Sequence, residues 1–426
     1  MVKTAKIAFL LLVFSLPFMK HGVEIAGLAV TSTDLLFLVA AAALGIALII
    51  GQARLRWDRL FPFLLIYFGA MLISVILAAE PARAAVKLAS QAYLLALPVL
   101  GYALIDSADE LRGVLRTWLA ATAVVTAIGT ATVVLFVLGS DRAILDYALH
   151  EFGTLPPGNY PRLEATFEYP AMLCNYLTVS LGILFVSRRL GWVGPVFFHC
   201  LLAGIAVTAA FSLTPGLGGI FLLIGTWLFF DLRHQRPTAA AAALMVGGGA
   251  ALAFVLAATV TPMIHSTAPF LVEVAGLQHS LAPSVRVMTW IAAGQSVLDH
   301  PLFGSGVGVE AIAVTYVAPS GITHVLTDAH NVFLNIAMHY GLAGLGVIAL
   351  VIAQVVRSIR PLDLHDGRLV RVGLGLAWLN AFAFQGLTGS YEDARHLWVL
   401  LGLLLASIRI EQVTGLKPEL AARPGR

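Results

Sequence analysis

Apolar residues fall along this chain in long runs broken by short polar stretches, and the length of the runs selects the fold class. A helix needs about 20 mostly apolar residues to cross a hydrocarbon core. Runs of that kind occupy residues 5–19, 33–51, 60–79, 84–105, 113–139, 166–187, 192–212, 214–230, 239–260, 331–356, 372–389 and 396–412. The predicted architecture is therefore all-α, a polytopic membrane protein of twelve transmembrane helices forming one domain over residues 1–426. The eighth run is the least regular, because Pro215, Gly216, Gly218 and Gly219 crowd its start. The first is short and follows Lys3 and Lys6 in the manner of a signal peptide; no small-residue cleavage site follows Pro17, which predicts an uncleaved span. Two polar stretches are long, residues 140–165 and a large loop, residues 261–330, between spans nine and ten. Within the large loop Val287, Met288, Ile291 and Leu298 recur on one helical face, so it is expected to be structured, with a short amphipathic helix lying on the membrane surface.

Composition agrees with the pattern. Of 426 residues 59% are hydrophobic and 12% charged, where a soluble domain is about a quarter charged. Charge then orients the bundle. With the N-terminus inside, 19 of the 26 Lys and Arg fall on the cytoplasmic side and 7 on the other, which the positive-inside rule reads as cytoplasmic termini and a periplasmic large loop. The span interiors are nearly free of charge, which argues against an ion-coupled carrier and for chemistry at one face. Cys174 and Cys200 both lie in predicted spans, where buried small apolar roles are expected rather than a disulfide.

The few cations on the outer side are the candidates for chemistry. Arg83 and Lys87, four apart, share one helix face and suit either interfacial anchoring or a lipid phosphate. Arg162, just before span six, suits a bidentate grip on phosphate oxygens or an ion pair with Glu164 or Glu168. Arg286 offers the same grip, or snorkelling from the amphipathic helix. His330 opens span ten at the edge of the large loop, and an imidazole there can move a proton near neutral pH. Asp328 can orient it or cap the helix, and Asn331 and Arg395 stand at the same boundary, Arg395 after Tyr391, Glu392 and Asp393. The run Gly304-Ser305-Gly306-Val307-Gly308 reads as a tight turn rather than a nucleotide loop, and the outward histidines lack zinc-ligand spacing.

At these residues the chain resembles the O-antigen ligase and polymerase superfamily. The resemblance is carried by Arg286, by Asp299-His300-Pro301-Leu302-Phe303-Gly304-Ser305-Gly306, by Ala329-His330-Asn331-Val332-Phe333-Leu334, by Tyr340-Gly341, and by Arg162 through Thr166-Phe167 and Pro170. His330-x10-Gly341 is similar to the branch that ligates O-antigen to lipid A-core. Arg286 is followed at the fourth place by Trp290, where that branch often has Leu, and neither arginine shows the Arg-x10-Gly spacing common in the polymerase branch.

The resemblance implies a GT-C-like membrane enzyme in the bacterial inner membrane, with its active site facing the periplasm. It implies an inverting glycosyltransferase, an O-antigen ligase, that moves a glycan from undecaprenyl diphosphate to lipid A-core, within the bilayer and without nucleic acid. In that scheme Arg162 and Arg286 bind the diphosphate and His330 takes the acceptor proton, with Arg83, Lys87, Asp328, Asn331 and Arg395 around the substrates. An activated diphosphate donor implies no metal, nucleotide or other cofactor. A polysaccharide polymerase or protein O-oligosaccharyltransferase of the same superfamily is the alternative; a transporter fits less well, since the chain has no repeated halves.

Overall fold

In the computed structural model the described residues are all but 21, 26–27, 79, 142–144, 152–160, 264–271, 274–279, 284, 308–309, 318–322, 361, 363–367, 390–393 and 415–426. The expected positions of Arg142, Gly308 and Tyr391 to Asp393 lie outside the described residues. Helices occur at each of the twelve apolar runs: α1 (Val2–Ser15), α2 (Ser32–Ile49), α3 (Phe61–Leu77), α4 (Pro81–Leu104), α5 (Ala108–Val137), α6 (Pro170–Arg189), α7 (Pro195–Ser212), α8 (Leu217–Leu232) and α9 (Pro237–Thr259), then, after α10 (Val285–Asp299) in the large loop, α11 (Val332–Ser358), α12 (Leu369–Leu379) and α13 (Arg395–Thr414). Eight of these are long and apolar enough to cross a membrane, and α3 and α8 are shorter apolar helices.

The large loop is not purely helical as expected. Besides α10 it holds β5 (Val260–Met263), β6 (Val272–Glu273) and β7 (Ser280–Pro283), in antiparallel order β5-β7-β6, and the hairpin of β8 (Val314–Val317) with β9 (Thr323–Leu326). Two further antiparallel pairs join β1 (Val23–Ile25) to β2 (Leu28–Val30) and β3 (Leu149–Glu151) to β4 (Pro161–Leu163). Each strand spans two to four residues, and strand pairing satisfies backbone groups that no helix takes up.

Helix α8 resolves the irregular eighth run. A Cβ on Gly218 would lie 2.9 Å from the Ala251 carbonyl oxygen, and one on Gly225 would lie 2.9 Å from that of Ala243, both on α9. The small residues let two backbones approach, which is how apolar helices gain packing in lipid. The eleventh run departs more. Regular helix stops at Leu379, and residues Asn380–Phe384 form a π-turn followed by a 3-10 turn, Gln385–Leu387. Buried amides account for this: Asn175 Nδ2 donates to the Ala381 carbonyl at 3.0 Å, and Gln385 Nε2 donates to Thr178 Oγ1 at 2.6 Å. Cys174 is buried, but Cys200 is exposed on the outside of α7, contrary to the expectation of burial.

Polar contacts gather at the two ends of the bundle. At one end Lys6 pairs with Glu110 at 2.6 Å and with Asp106 at 3.2 Å, and Arg56 and Arg409 also reach Asp106. At the other end Lys20 pairs with Glu164 at 2.5 Å, Arg395 with Asp34, and Arg83 with Glu310 at 3.2 Å. The second end carries the large loop and the starts of α6 and α11.

Candidate active site

Helix α11 begins under tight local control. Asn331 is its N-cap, the side-chain oxygen accepting from Phe333 N at 3.0 Å and Leu334 N at 3.2 Å. The cap is thus Asn331 rather than Asp328. Asp328 instead accepts the backbone N–H of His330 through Oδ1 and the Asn335 amide through Oδ2 at 2.8 Å, while Asn335 Oδ1 accepts from Ala329 N at 2.9 Å. This closed ring of bonds holds His330 at φ +48°, a left-handed conformation that non-glycine residues rarely adopt. The ring Nδ1 lies 3.6 Å from Asp328 Oδ1, and the side chain is 38% exposed.

Helix α10 turns its apolar face outward, as expected of an amphipathic helix on the membrane surface. Its apolar residues Met288, Ile291 and Leu298 are exposed by 48, 66 and 74%, as suits a helix lying against lipid, whereas Arg286, Thr289, Ala293 and Ser296 turn inward. Arg286 is thereby buried and does not snorkel. Thr289, one turn from Arg286, donates from Oγ1 to the Ala329 carbonyl at 3.3 Å, and Ala293 packs with Ile312, Ala329 and Met338. The arginine helix is thus bonded to the residue before His330. Burial pushes the His330 imidazole below its ordinary value; the Asp328 carboxylate opposes that shift and the Arg286 charge adds to it.

Arg162 stands on β4, opposite His150 on β3, and is buried. Its Nε donates to the Ser212 carbonyl at the end of α7 at 2.9 Å. Glu164 is engaged by Lys20 and, at 3.3 Å, by His150. Between the Arg162 turn and the His330 turn sits Tyr169, the cap of α6, whose hydroxyl is raised by burial and by the nearby carboxylates of Glu168, Glu164 and Asp328. Among the described residues three non-glycine positions have left-handed backbones: His330, Ala165 three residues after Arg162, and Leu213 beside the carbonyl that Arg162 grips. Strain concentrated in this way is characteristic of functional sites.

The remaining sequence candidates are distributed around this centre. Arg83 is exposed on the first turn of α4 and meets Glu310 of the large loop; Lys87 lies one turn further. Arg395 grips Asp34 through two hydrogen bonds of 2.9 Å, and Asp34 also closes the capping box of α2 with Thr31. Both residues of that pair are mostly buried, which ties the start of α13 to α2. Sequence reading missed Thr289, Asn335 and Tyr169. The first carried a usable signal, since Thr289 lies three residues after Arg286, a spacing that shares a helix face. No group of three or more His, Cys, Asp or Glu side chains among the described residues is placed to hold a metal.

No curated protein is significantly similar to the chain. A family model, however, matches residues 198–349, from α7 through the first half of α11 and beyond its kink; Arg286, Asp328, His330 and Gly341 lie inside the match and Arg162 lies before it. The matched family is described as O-antigen ligase, and the match over residues 198–349 supports a likeness of this multi-pass chain to the O-antigen ligase superfamily, whose members are ligases and polymerases that transfer glycosyl groups.

Proposed function

We propose that the protein is the ligase of its superfamily: an inverting glycosyltransferase of the inner membrane, with cytoplasmic termini, that moves a glycan from undecaprenyl diphosphate to lipid A-core at the periplasmic face. The observation that carries this reading is the bond between Thr289 and Ala329, which ties the helix of the buried Arg286 to the turn of His330; burial and the Arg286 charge favour the neutral form of that imidazole. With Nδ1 toward Asp328, Nε2 is the ring nitrogen of His330 that takes the proton of the acceptor hydroxyl. The acceptor oxygen then bonds to the anomeric carbon as the bond from that carbon to the diphosphate oxygen breaks, so the electron pair leaves with the polyprenyl diphosphate. Arg286 and Arg162 neutralise that leaving group, a form of preorganised charge worth several kcal/mol of barrier. Arg83 and Lys87, on the rim, suit the lipid phosphate, and Asn331 and Arg395 act by holding α11 and α13 in place.

The test is to incubate the purified protein with undecaprenyl diphosphate-linked glycan and either lipid A-core or a second glycan chain, in excess chelator and without nucleotide. Transfer to lipid A-core alone supports the ligase. Chain lengthening instead makes it a polymerase, and a metal or nucleotide requirement overturns the mechanism.

A further inference from the structure

Gln385 is fully buried in the 3-10 turn that follows the π-turn of the eleventh run, and both ends of its amide are bonded to α6. Nε2 donates to Thr178 Oγ1 at 2.6 Å, and Oε1 accepts from Asn175 Nδ2 at 3.2 Å. Asn175 is held in turn, since its Nδ2 also donates to the Ala381 carbonyl at 3.0 Å and His396 Nε2 bonds its Oδ1 at 2.6 Å. The amide touches both turns of the candidate site. On one side is the segment after α7: Arg162 Nε bonds the Ser212 carbonyl, and at Gly216, four residues on, a Cβ would lie 3.3 Å from Gln385 Oε1. A Cβ on Gly219 would lie 2.2 Å from Nε2, so glycine there leaves room for the amide. On the other side, a Cβ on Gly386 would lie 2.3 Å from Cγ1 of Val332, two places after His330, and the Leu387 carbonyl accepts from Asn331 Nδ2 at 3.5 Å.

A buried amide in a bundle of apolar helices is costly unless its polar atoms are bonded, so an apolar side chain would serve packing better. Methionine would fill nearly the same space, but its free torsions would not fix its place. A fully bonded amide does fix it, because such networks rigidify what they touch. We propose that Gln385 is a positioning residue, which holds the Arg162 turn and the His330 turn in one arrangement. The catalytic consequence rests on the ligase reading and deepens it, since a diphosphate clamp and a base help each other only while their register is kept.

The experiment compares the full wild-type chain with Gln385→Met and Gly386→Ala in phosphatidylcholine nanodiscs, by backbone hydrogen exchange and by transfer kinetics. Gln385→Met keeps the volume and leaves Asn175 its bond to the Ala381 carbonyl, so its melting temperature should stay near that of wild type. Exchange should nevertheless rise about tenfold at residues 212–216 and at residues 329–334, the worth of one hydrogen bond, and stay unchanged in the β8–β9 hairpin. Its kcat should fall about ten- to a hundredfold with KM near the wild-type value, as for catalytic groups that are intact but misplaced. Gly386→Ala presses on Val332 and leaves the amide bonded, so it should loosen residues 329–334 from the other side. Unchanged exchange at either turn of Gln385→Met, a loss confined to KM, or an undisturbed His330 turn in Gly386→Ala overturns the proposal. Exchange needs no turnover, so a chain whose turns loosen together but whose wild type transfers nothing sinks the ligase reading and not the linkage.

Discussion

Gly341 and Leu302 approach so closely that a Cβ on Gly341 would fall 2.2 Å from the Leu302 carbonyl carbon. The Pro301–Gly306 turn wedges into α11 at this point, where Gly341 has φ +67° and breaks the helix. The freed N–H groups of Leu342 and Ala343 donate to the carbonyls of Pro301 and Leu302, and Ser305 N donates to that of Met338. The spacing from His330 to Gly341 is thus the length of a half-helix, with the imidazole turn at one end and the wedge at the other. Gly341→Ala meets both a backbone of φ +67° and ψ −170°, an essentially glycine-only region costing about 1–3 kcal/mol, and a clash with the Leu302 backbone. Its melting temperature in detergent should fall and transfer should fall with it; a variant as stable and active as wild type would remove the wedge from the argument.

His330→Ala should lower transfer by about two to four orders of magnitude, the usual worth of a general base, with normal insertion and melting. His330→Gly should be equally inactive yet at least as stable as the alanine variant, because glycine accepts the left-handed backbone without strain. Retained transfer in either would exclude His330 as the base.

The pH profile carries a sign for each charge. His330 must be neutral to act, and its value lies below the ordinary imidazole figure of about 6.5, so the acid limb of kcat/KM should fall below that pH. Arg286 depresses the value, so Arg286→Gln should move the limb upward in whatever activity remains; Asp328 raises it, so Asp328→Asn should move it downward. Because the folded value is depressed, this group's contribution to stability is present above about pH 6.5 and is lost as pH falls from there. Shifts of the opposite sign would contradict the arrangement.

Arg162→Lys and Arg286→Lys should each lose most activity, since lysine keeps the charge and loses the bidentate fork. Full activity in both would rule out a diphosphate clamp. Loss at Arg162 alone would mean that the Arg286-x3-Trp290 departure marks a changed role for Arg286.

Topology can be read with single cysteines in a Cys174→Ala, Cys200→Ala background. Cysteines at Ser140, Ser280 and Ser320 should react with an impermeant thiol reagent from the periplasm, and those at Gln52, Gln235 and Ser358 only after the inner membrane is permeabilised. Cytoplasmic labelling at any of the first three would separate Arg162, Arg286 and His330 into different compartments.

The sequence by itself determined the bundle and the residue types of the site. Hydrophobic runs long enough to span a bilayer leave the backbone no other way to satisfy its polar groups, so helices appear at all twelve places. Arg286 stood out because positive charge is scarce on the outer side, and His330 because it opens a span at the edge of the large loop. Contacts across the fold were a different matter, because they depend on which helices meet. Periodicity gave α10 its outward apolar face, and tertiary structure decided what its polar face meets, the Thr289 hydroxyl bonding the Ala329 carbonyl. It assigned the cap to Asn331, bound Asp328 to the His330 backbone, and engaged Arg395 with Asp34, 361 positions away in the chain. It also unwound the end of α12, since the amide of Asn175 that bonds there arrives from α6. A one-dimensional pattern specifies what each segment must bury, and only the packed bundle decides what it is buried against.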